Sequence, residues 1–227
     1  PLHVFDAKKV KGDLVVRRAK KGETLLALDG KTHELDDAMV VISDDHGVES
    51  IAGVMGGEHT AVSDSTTNVY VEAAFWWPEA IAGRARKLKL SSEASHRFER
   101  GVDFLSIPEH IDLISALIID ICGGNAGPVD DQILNVPERQ PVTMRLDRCC
   151  RILGLNIDQD VVSGIFKRLG LAFEFKSGCF IVTPPSYRFD ICIEEDLIVS
   201  LLSKKPSGLK AGEIASKLKI PMTRVGK

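Results

Sequence analysis

Two polar residues set in apolar runs, and one glycine-rich turn, are the positions in this chain whose types and spacing could do chemistry. Glu72 interrupts Val69-Tyr70-Val71-Glu72-Ala73-Ala74-Phe75, His3 lies in Leu2-His3-Val4-Phe5-Asp6, and Gly53-Val54-Met55-Gly56-Gly57-Glu58-His59 closes an apolar run. A carboxylate on an apolar strand either turns to solvent by alternation, here beside Tyr70 and Ala74, or enters a pocket where burial demands a partner. As a solvated or ion-paired side chain Glu72 is unremarked; as a buried acceptor it could read a ligand hydroxyl. His3 reads equally as a structural histidine. Gly56-Gly57 marks either a turn needing positive φ or a place where backbone approaches a ligand closely. Arg84, Arg86, Lys87 and Lys89, followed by Arg97 and Arg100, could bind phosphate or could form the solvated face of a surface helix.

Other catalytic patterns are missing from the sequence. It holds no GxSxG elbow, no HExxH helix, no GxxxxGK[ST] loop and no GxGxxG after a strand. ATP chemistry is therefore not expected of it. The cysteines, Cys122, Cys149, Cys150, Cys179 and Cys192, are odd in number and form no CxxC pair, so reduced, buried thiols and no metal site are expected.

The elements that must position these residues divide the chain. Short apolar runs at Leu14–Val16, Thr24–Leu28, Ala38–Ser43 and Val48–Val54 read as strands, with Asp29-Gly30 as a two-residue hairpin turn and 44–47 as another turn. Val69–Phe75 is a further strand, and Pro78 opens a helical run over 79–88. Ile111, Ile114, Leu117, Ile118 and Ile121 recur at helical spacing before Gly123-Gly124. The polar, proline-bearing stretch Gly127–Pro141 places a boundary near residue 138. Beyond it the sequence predicts a strand over 142–146, a helix over 147–153, a helix capped by Asp158 and ended by Gly170, and a hairpin turning at 176–178. Residues 204–227 hold seven Lys/Arg against Glu213 alone, with a faint helix-turn-helix pattern that reads equally as an amphipathic helix or a solvated tail.

With 227 residues, 44% of them hydrophobic and 27% charged, the chain has the composition of a globular protein. A net charge of -3 excludes a protein held to nucleic acid by bulk charge, so a polyanion must meet a local patch. No apolar run approaches the roughly 18 residues that span a bilayer. No membrane partner and a cytoplasmic location are expected.

Taken in order, His3-Val4-Phe5-Asp6, the 53–60 run, Val71–Phe75, Gly83-Arg84-Ala85-Arg86, Glu93–Asp103, Asp120–Gly124, Pro184–Ile191 and Ile193–Leu197 resemble the bacterial phenylalanyl-tRNA synthetase β subunit over about residues 1 to 198. The resemblance implies an α+β chain: a mixed, β-rich editing module with flanking helices over 1–138, a small α+β accessory domain over 139–200, and a basic tail over 201–227. It implies hydrolysis of tyrosine wrongly attached to the tRNA for phenylalanine, within a ligase whose ATP and magnesium site lies on the α subunit, so that the chain needs no cofactor of its own. The family's editing histidine falls on His3 and its tyrosine-reading glutamate on Glu72. Its pocket glycine falls on Gly56, beside Gly57; Ser92, where threonine is commoner, and Ala94 match the far wall. Arg84, Arg86, Lys87 and Lys89 become RNA-binding candidates. A second reading stays open, a non-catalytic RNA-binding or scaffold fragment whose pocket lacks polar residues that the family draws from before Pro1.

Overall fold

The computed structural model describes residues 1–191, in two compact units that divide between Pro137 and Glu138. Their α+β content matches the expected class. In the first, β1 (Leu2–Asp6) waits almost seventy residues for its partner, while β2 (Val15–Arg18), β3 (Thr24–Leu26), β4 (Thr32–Glu34), β5 (Val40–Ser43), β6 (Val48–Ile51) and β7 (Met55–Gly56) follow in quick succession. β2-β5-β6-β7 form an antiparallel sheet and β3-β4 a hairpin, joined to the glycine-rich turn by a bridge between Ala27 and Gly57. β8 (Val69–Ala73) then returns to pair with β1, setting Leu2 opposite Ala73 and His3 opposite Glu72. Leu25, Leu35, Met39, Val41, Ile51 and Phe98 are central to a core shared by these strands and the helices that follow.

Two turns differ from expectation. Asp29-Gly30 belongs to a three-residue loop, because Ala27 rather than Leu28 closes the hairpin: the Ala27 amide donates to the Lys31 carbonyl at 2.9 Å, and Gly30 takes φ 74°. The helical run over 79–88 is split into α1 (Pro78–Ile81) and α2 (Arg84–Lys87). Gly83 between them adopts φ 77°, a conformation that no continuing helix allows, and its amide donates to Glu99 Oε1 at 3.1 Å. α3 (Glu93–Phe98) starts at a capping box in which Ser92 Oγ accepts from the Ser95 amide at 3.1 Å. α4 (Ile107–Cys122) carries the expected apolar stripe, but none of its residues is fully buried.

From 124 to 141 the chain has no regular structure. The second unit begins with β9 (Val142–Arg145) and α5 (Leu146–Leu153), continues through α6 (Gln159–Arg168), and ends in the hairpin β10 (Ala172–Lys176) and β11 (Cys179–Thr183). The sheet order is β10-β11-β9, antiparallel throughout. Ser177 and Gly178 both take positive φ, as a two-residue hairpin turn requires. Asp158 stands at the N-cap of α6, yet its carboxylate makes no capping bond. The described thiols are not buried as expected: Cys122 is exposed at the end of α4, which buries none of its residues, and Cys149, Cys150 and Cys179 are half-buried, because the small second unit has little interior. Cys192 and the basic tail lie outside the described residues.

Phe180, 0% exposed, is the centre of this second core, its ring in contact with Phe166, Phe173 and Phe175 at centroid distances of 5.2, 5.7 and 4.6 Å. Phe180→Ala is expected to cost the second unit about 3–5 kcal/mol. In urea unfolding, the transition of residues 1–137 should stay where it is while the second moves to lower denaturant; one transition shifting as a whole would contradict independent units.

Candidate active site

The pairing of β1 with β8 assembles the constellation. His3 and Glu72, far apart in sequence, face each other across the strands, and a residue at such an opposed position has its Cβ about 5 Å from its partner's. His3 also packs edge-on against Phe5, with ring centroids 4.5 Å apart. Its Nε2 is buried and finds no hydrogen-bond partner among the described residues. Burial lowers the imidazole's pKa, which favours the neutral ring with one nitrogen left over for a ligand or water.

Glu72 is half-buried, and the loss of solvent around its carboxyl pushes its pKa up to about 7. No salt bridge or side-chain hydrogen bond holds it among the described residues. Near neutrality it therefore exchanges between an acceptor-only carboxylate and a carboxylic acid that can also donate.

Gly56 abuts His3. A Cβ built on it would lie 2.6 Å from His3 Nε2 and 3.0 Å from Nδ1, so the missing side chain makes the seat of the imidazole. Gly57 points elsewhere: a Cβ there would lie 2.7 Å from Leu25 Cδ1 and 2.8 Å from the Glu49 carbonyl, and its amide already donates to that carbonyl at 2.7 Å. Packing alone accounts for glycine at 57, and its amide is not available to a substrate. Ser92 ties α3 to the glycine-rich turn, because its Oγ donates to the Val54 carbonyl at 2.7 Å. Ala94, in the first turn of α3, packs on the main core.

A cavity of about 710 Å³ opens on the other side of the strand pair, where alternation puts Leu2 and Ala73. α3 and α4 close it with His96, Arg97, Ile107 and Leu113 among others, and neither His3, Glu72, Gly56 nor Ala94 lines it. The basic residues separate. Lys87 pairs with Asp36, Arg84 Nε reaches the Ala80 carbonyl at 3.4 Å, and Arg86 and Lys89 project into solvent. Arg97 is bound to Glu93 at 2.9 Å and Arg100 to the His96 carbonyl at 2.8 Å.

Trp76 escaped the sequence reading. Its indole Nε1 is buried without a partner among the described residues, and its Cδ1 lies 3.0 Å from the position of a Cβ on Gly53, which takes φ 66°. The signal was available in a tryptophan just past the Glu72 strand, but only the fold brings it back onto the glycine-rich turn.

Two outcomes follow. The raised pKa of Glu72 means that the neutral acid suits the fold: this stabilisation is complete below its ordinary value of 4.5 and is lost as pH rises through about 7. Glu72→Gln should therefore be more stable than the native chain by on the order of 2 kcal/mol at about pH 8 and equal to it at about pH 4.5, as thermal melts will read. Gly56→Ala should cost about 1–3 kcal/mol and move the His3 ring resonances in NMR spectra, since the added methyl displaces the imidazole.

Comparison with known proteins follows the same division of the chain. The B3/4 domain family matches residues 1–123, and the tRNA synthetase B5 domain family matches residues 142–198. The phenylalanine–tRNA ligase β subunit of Bordetella pertussis is 62% identical over 198 residues, which cover 87% of this chain and 25% of that one. The β subunit from Ralstonia nicotianae is 60% identical over 198 residues, 87% of this chain and 24% of that one. The chain thus spans about a quarter of the length of the curated relatives it matches. A solved N-terminal fragment of the phenylalanyl-tRNA synthetase β-subunit from Pyrococcus horikoshii is similar over 86% of this chain and 56% of its own, at 16% identity and a TM-score of 0.40, too distant to bear on the site. Matched across more than half its length by the B3/4 family and so close to these β subunits in sequence, the chain belongs to the phenylalanine–tRNA ligase β-subunit family.

Proposed function

We propose that the first unit is an editing module that hydrolyses tyrosine mis-attached to the tRNA for phenylalanine, as part of a cytoplasmic ligase. The observation that carries this reading is the opposition of His3, whose buried Nε2 has no partner among the described residues and whose pKa burial lowers, to a half-buried Glu72 of raised pKa. On this reading Glu72 accepts the hydrogen bond of the tyrosine hydroxyl. A phenylalanine ring in the same place leaves that acceptor desolvated and unpaired, a penalty of about 1–3 kcal/mol that protects the correct product.

His3 holds a water or the terminal ribose through Nε2. An aminoacyl ester is already activated, so an oriented water can attack it without a protein nucleophile. Gly56 acts by seating the imidazole, and Ser92 by anchoring α3 to the turn that carries Gly56. Arg86 and Lys89, with Arg84 and Lys87 beside them, offer charge to the tRNA backbone. The α subunit is the partner on this reading, and holds the ATP and magnesium that charging requires.

The test uses a complete synthetase carrying this module. Glu72→Ala should lower discrimination between tyrosyl- and phenylalanyl-tRNA in deacylation by about tenfold or more, from both directions, with charging by phenylalanine unchanged. Unaltered discrimination, or no deacylation by the native enzyme, would leave the module as a non-catalytic RNA-binding or scaffold element.

A further inference from the structure

Outside the His3–Glu72 pair, the least expected group in the first unit is Glu49. It lies on β6 between Val48 and Ser50 and is only 1% exposed, yet no lysine or arginine pairs with it among the described residues. One carboxylate oxygen, Oε1, receives the imidazole of His59 at 3.0 Å and faces that of His46 at 3.7 Å. The other, Oε2, is buried with no partner among the described residues. A buried carboxylate with half its bonding capacity unused is costly unless a cation is near.

The two imidazoles are placed for such a cation. Their rings lie parallel, 9° apart in plane and 4.3 Å between centroids, and each directs Nδ1 at the same oxygen. With a metal beside that oxygen, each ring would carry its proton on Nε2 and turn its Nδ1 lone pair to the ion, and the carboxylate would share its charge with it. One ligand atom from each of the three residues lies within 4.8 Å of the others. Bond lengths of about 2.0–2.1 Å in a tetrahedral zinc site put ligands roughly 3.3 Å apart, so a small swing of the exposed rings, 61% for His46 and 43% for His59, closes the set.

The supports are firmer than the rings. His46 is carried on a turn in which Asp44 Oδ1 accepts the amides of His46 and Gly47, at 2.8 and 3.1 Å. His59 precedes the fully buried Thr60, whose carbonyl accepts the Asp6 amide at 2.8 Å. Glu49 is fixed by its strand and by the Gly57 amide on its carbonyl.

We propose that His46, Glu49 and His59 form a binding site for a divalent transition metal of the zinc class. Two imidazoles and a carboxylate are the donor set that suits such ions, and the exposed side leaves a fourth position to water. No metal-binding spacing signalled it in the sequence, because His46 and Glu49 come from one turn and strand while His59 stands ten residues after Glu49, at the end of the glycine-rich turn. A bound ion clamps the 44–47 turn to the end of that second turn, three residues from Gly56, the seat of His3. The site stands apart from the editing reading: it needs neither His3 nor Glu72.

The experiment is calorimetric titration of ZnCl2 into the tag-free, chelator-stripped chain. Binding near one equivalent is expected, with affinity falling about tenfold or more in His46→Gln and in His59→Gln, since even loss of a residue supporting a metal ligand costs 10–100-fold. Both histidines are exposed enough for these variants to fold, which circular dichroism verifies, and His96→Gln is the control that should bind as the native chain does. Co²⁺ in place of zinc should give the intense visible absorption of a four-coordinate site, lost in both variants. Absence of saturable binding up to about millimolar zinc, or affinity unchanged by both substitutions, overturns the proposal.

Discussion

The antiparallel pairing of the first strand with the eighth is the contact on which the first unit depends. It joins residues almost seventy positions apart, and folding must meet the entropy of closing that long loop before any of the ladder's bonds reward it. Its Asp6 end is secured by the intervening chain: the Asp6 amide donates to the Thr60 carbonyl at 2.8 Å, the Ala7 amide to that of Asn68 at 2.9 Å. Asp6 itself is buried, and the Thr66 hydroxyl that donates to its carboxylate at 2.8 Å holds that acid below the ordinary range. Because strands alternate, the register that secures Asp6 also sets His3 opposite Glu72 and turns Leu2 and Ala73 toward the cavity beyond. A slip by one residue would exchange the two faces and dismantle the constellation.

Close backbone packing does the next share of positioning. Gly53, Gly56 and Gly57 lie within five residues, and each is small for a different neighbour: Trp76 with Ile81 and Phe98 at Gly53, the His3 ring at Gly56, Leu25 and the Glu49 carbonyl at Gly57. The turn thus gathers β1, the segment after β8, α3 and the β3–β4 hairpin around one short segment. Its glycines serve protein contacts throughout. That is why the space above Gly56 is filled by a catalytic candidate, while the open volume of about 710 Å³ is displaced to the other side of the strand pair.

The same economy concentrates charge-bearing groups where solvent is thin. Glu72 answers burial by a raised pKa, Asp6 by the Thr66 hydroxyl, and Glu49 by gathering two imidazoles. Each solution has a different consequence. A carboxyl near neutrality can exchange a proton with a ligand, a hydroxyl-bonded one stays ionised, and one faced by two imidazoles completes the donor set proposed above for a metal.

Local pattern alone determined the α+β class, most strands, the α4 and α6 helices, the polar stretch before residue 138 and the resemblance to β subunits, because alternation, helical spacing, and Gly and Pro at turns are properties of neighbouring residues. It also singled out His3, Glu72 and the Gly56-Gly57 pair as unusual in their settings. Where a local signal met a competing one it erred by a residue or a turn: Gly83 broke a helix that the spacing allowed, and Ala27 took the hairpin bond expected of Leu28. Sequence could not separate Gly56 from Gly57, since which of two adjacent glycines meets an imidazole and which a carbonyl depends on strands that arrive from elsewhere. Nor could it show Glu49 as anything but one acid on a short strand. Burial, a carboxylate oxygen without a partner among the described residues and two converging histidines arise among residues 46, 49 and 59, and only the tertiary structure, by folding the glycine-rich turn back onto β6, brings them into being.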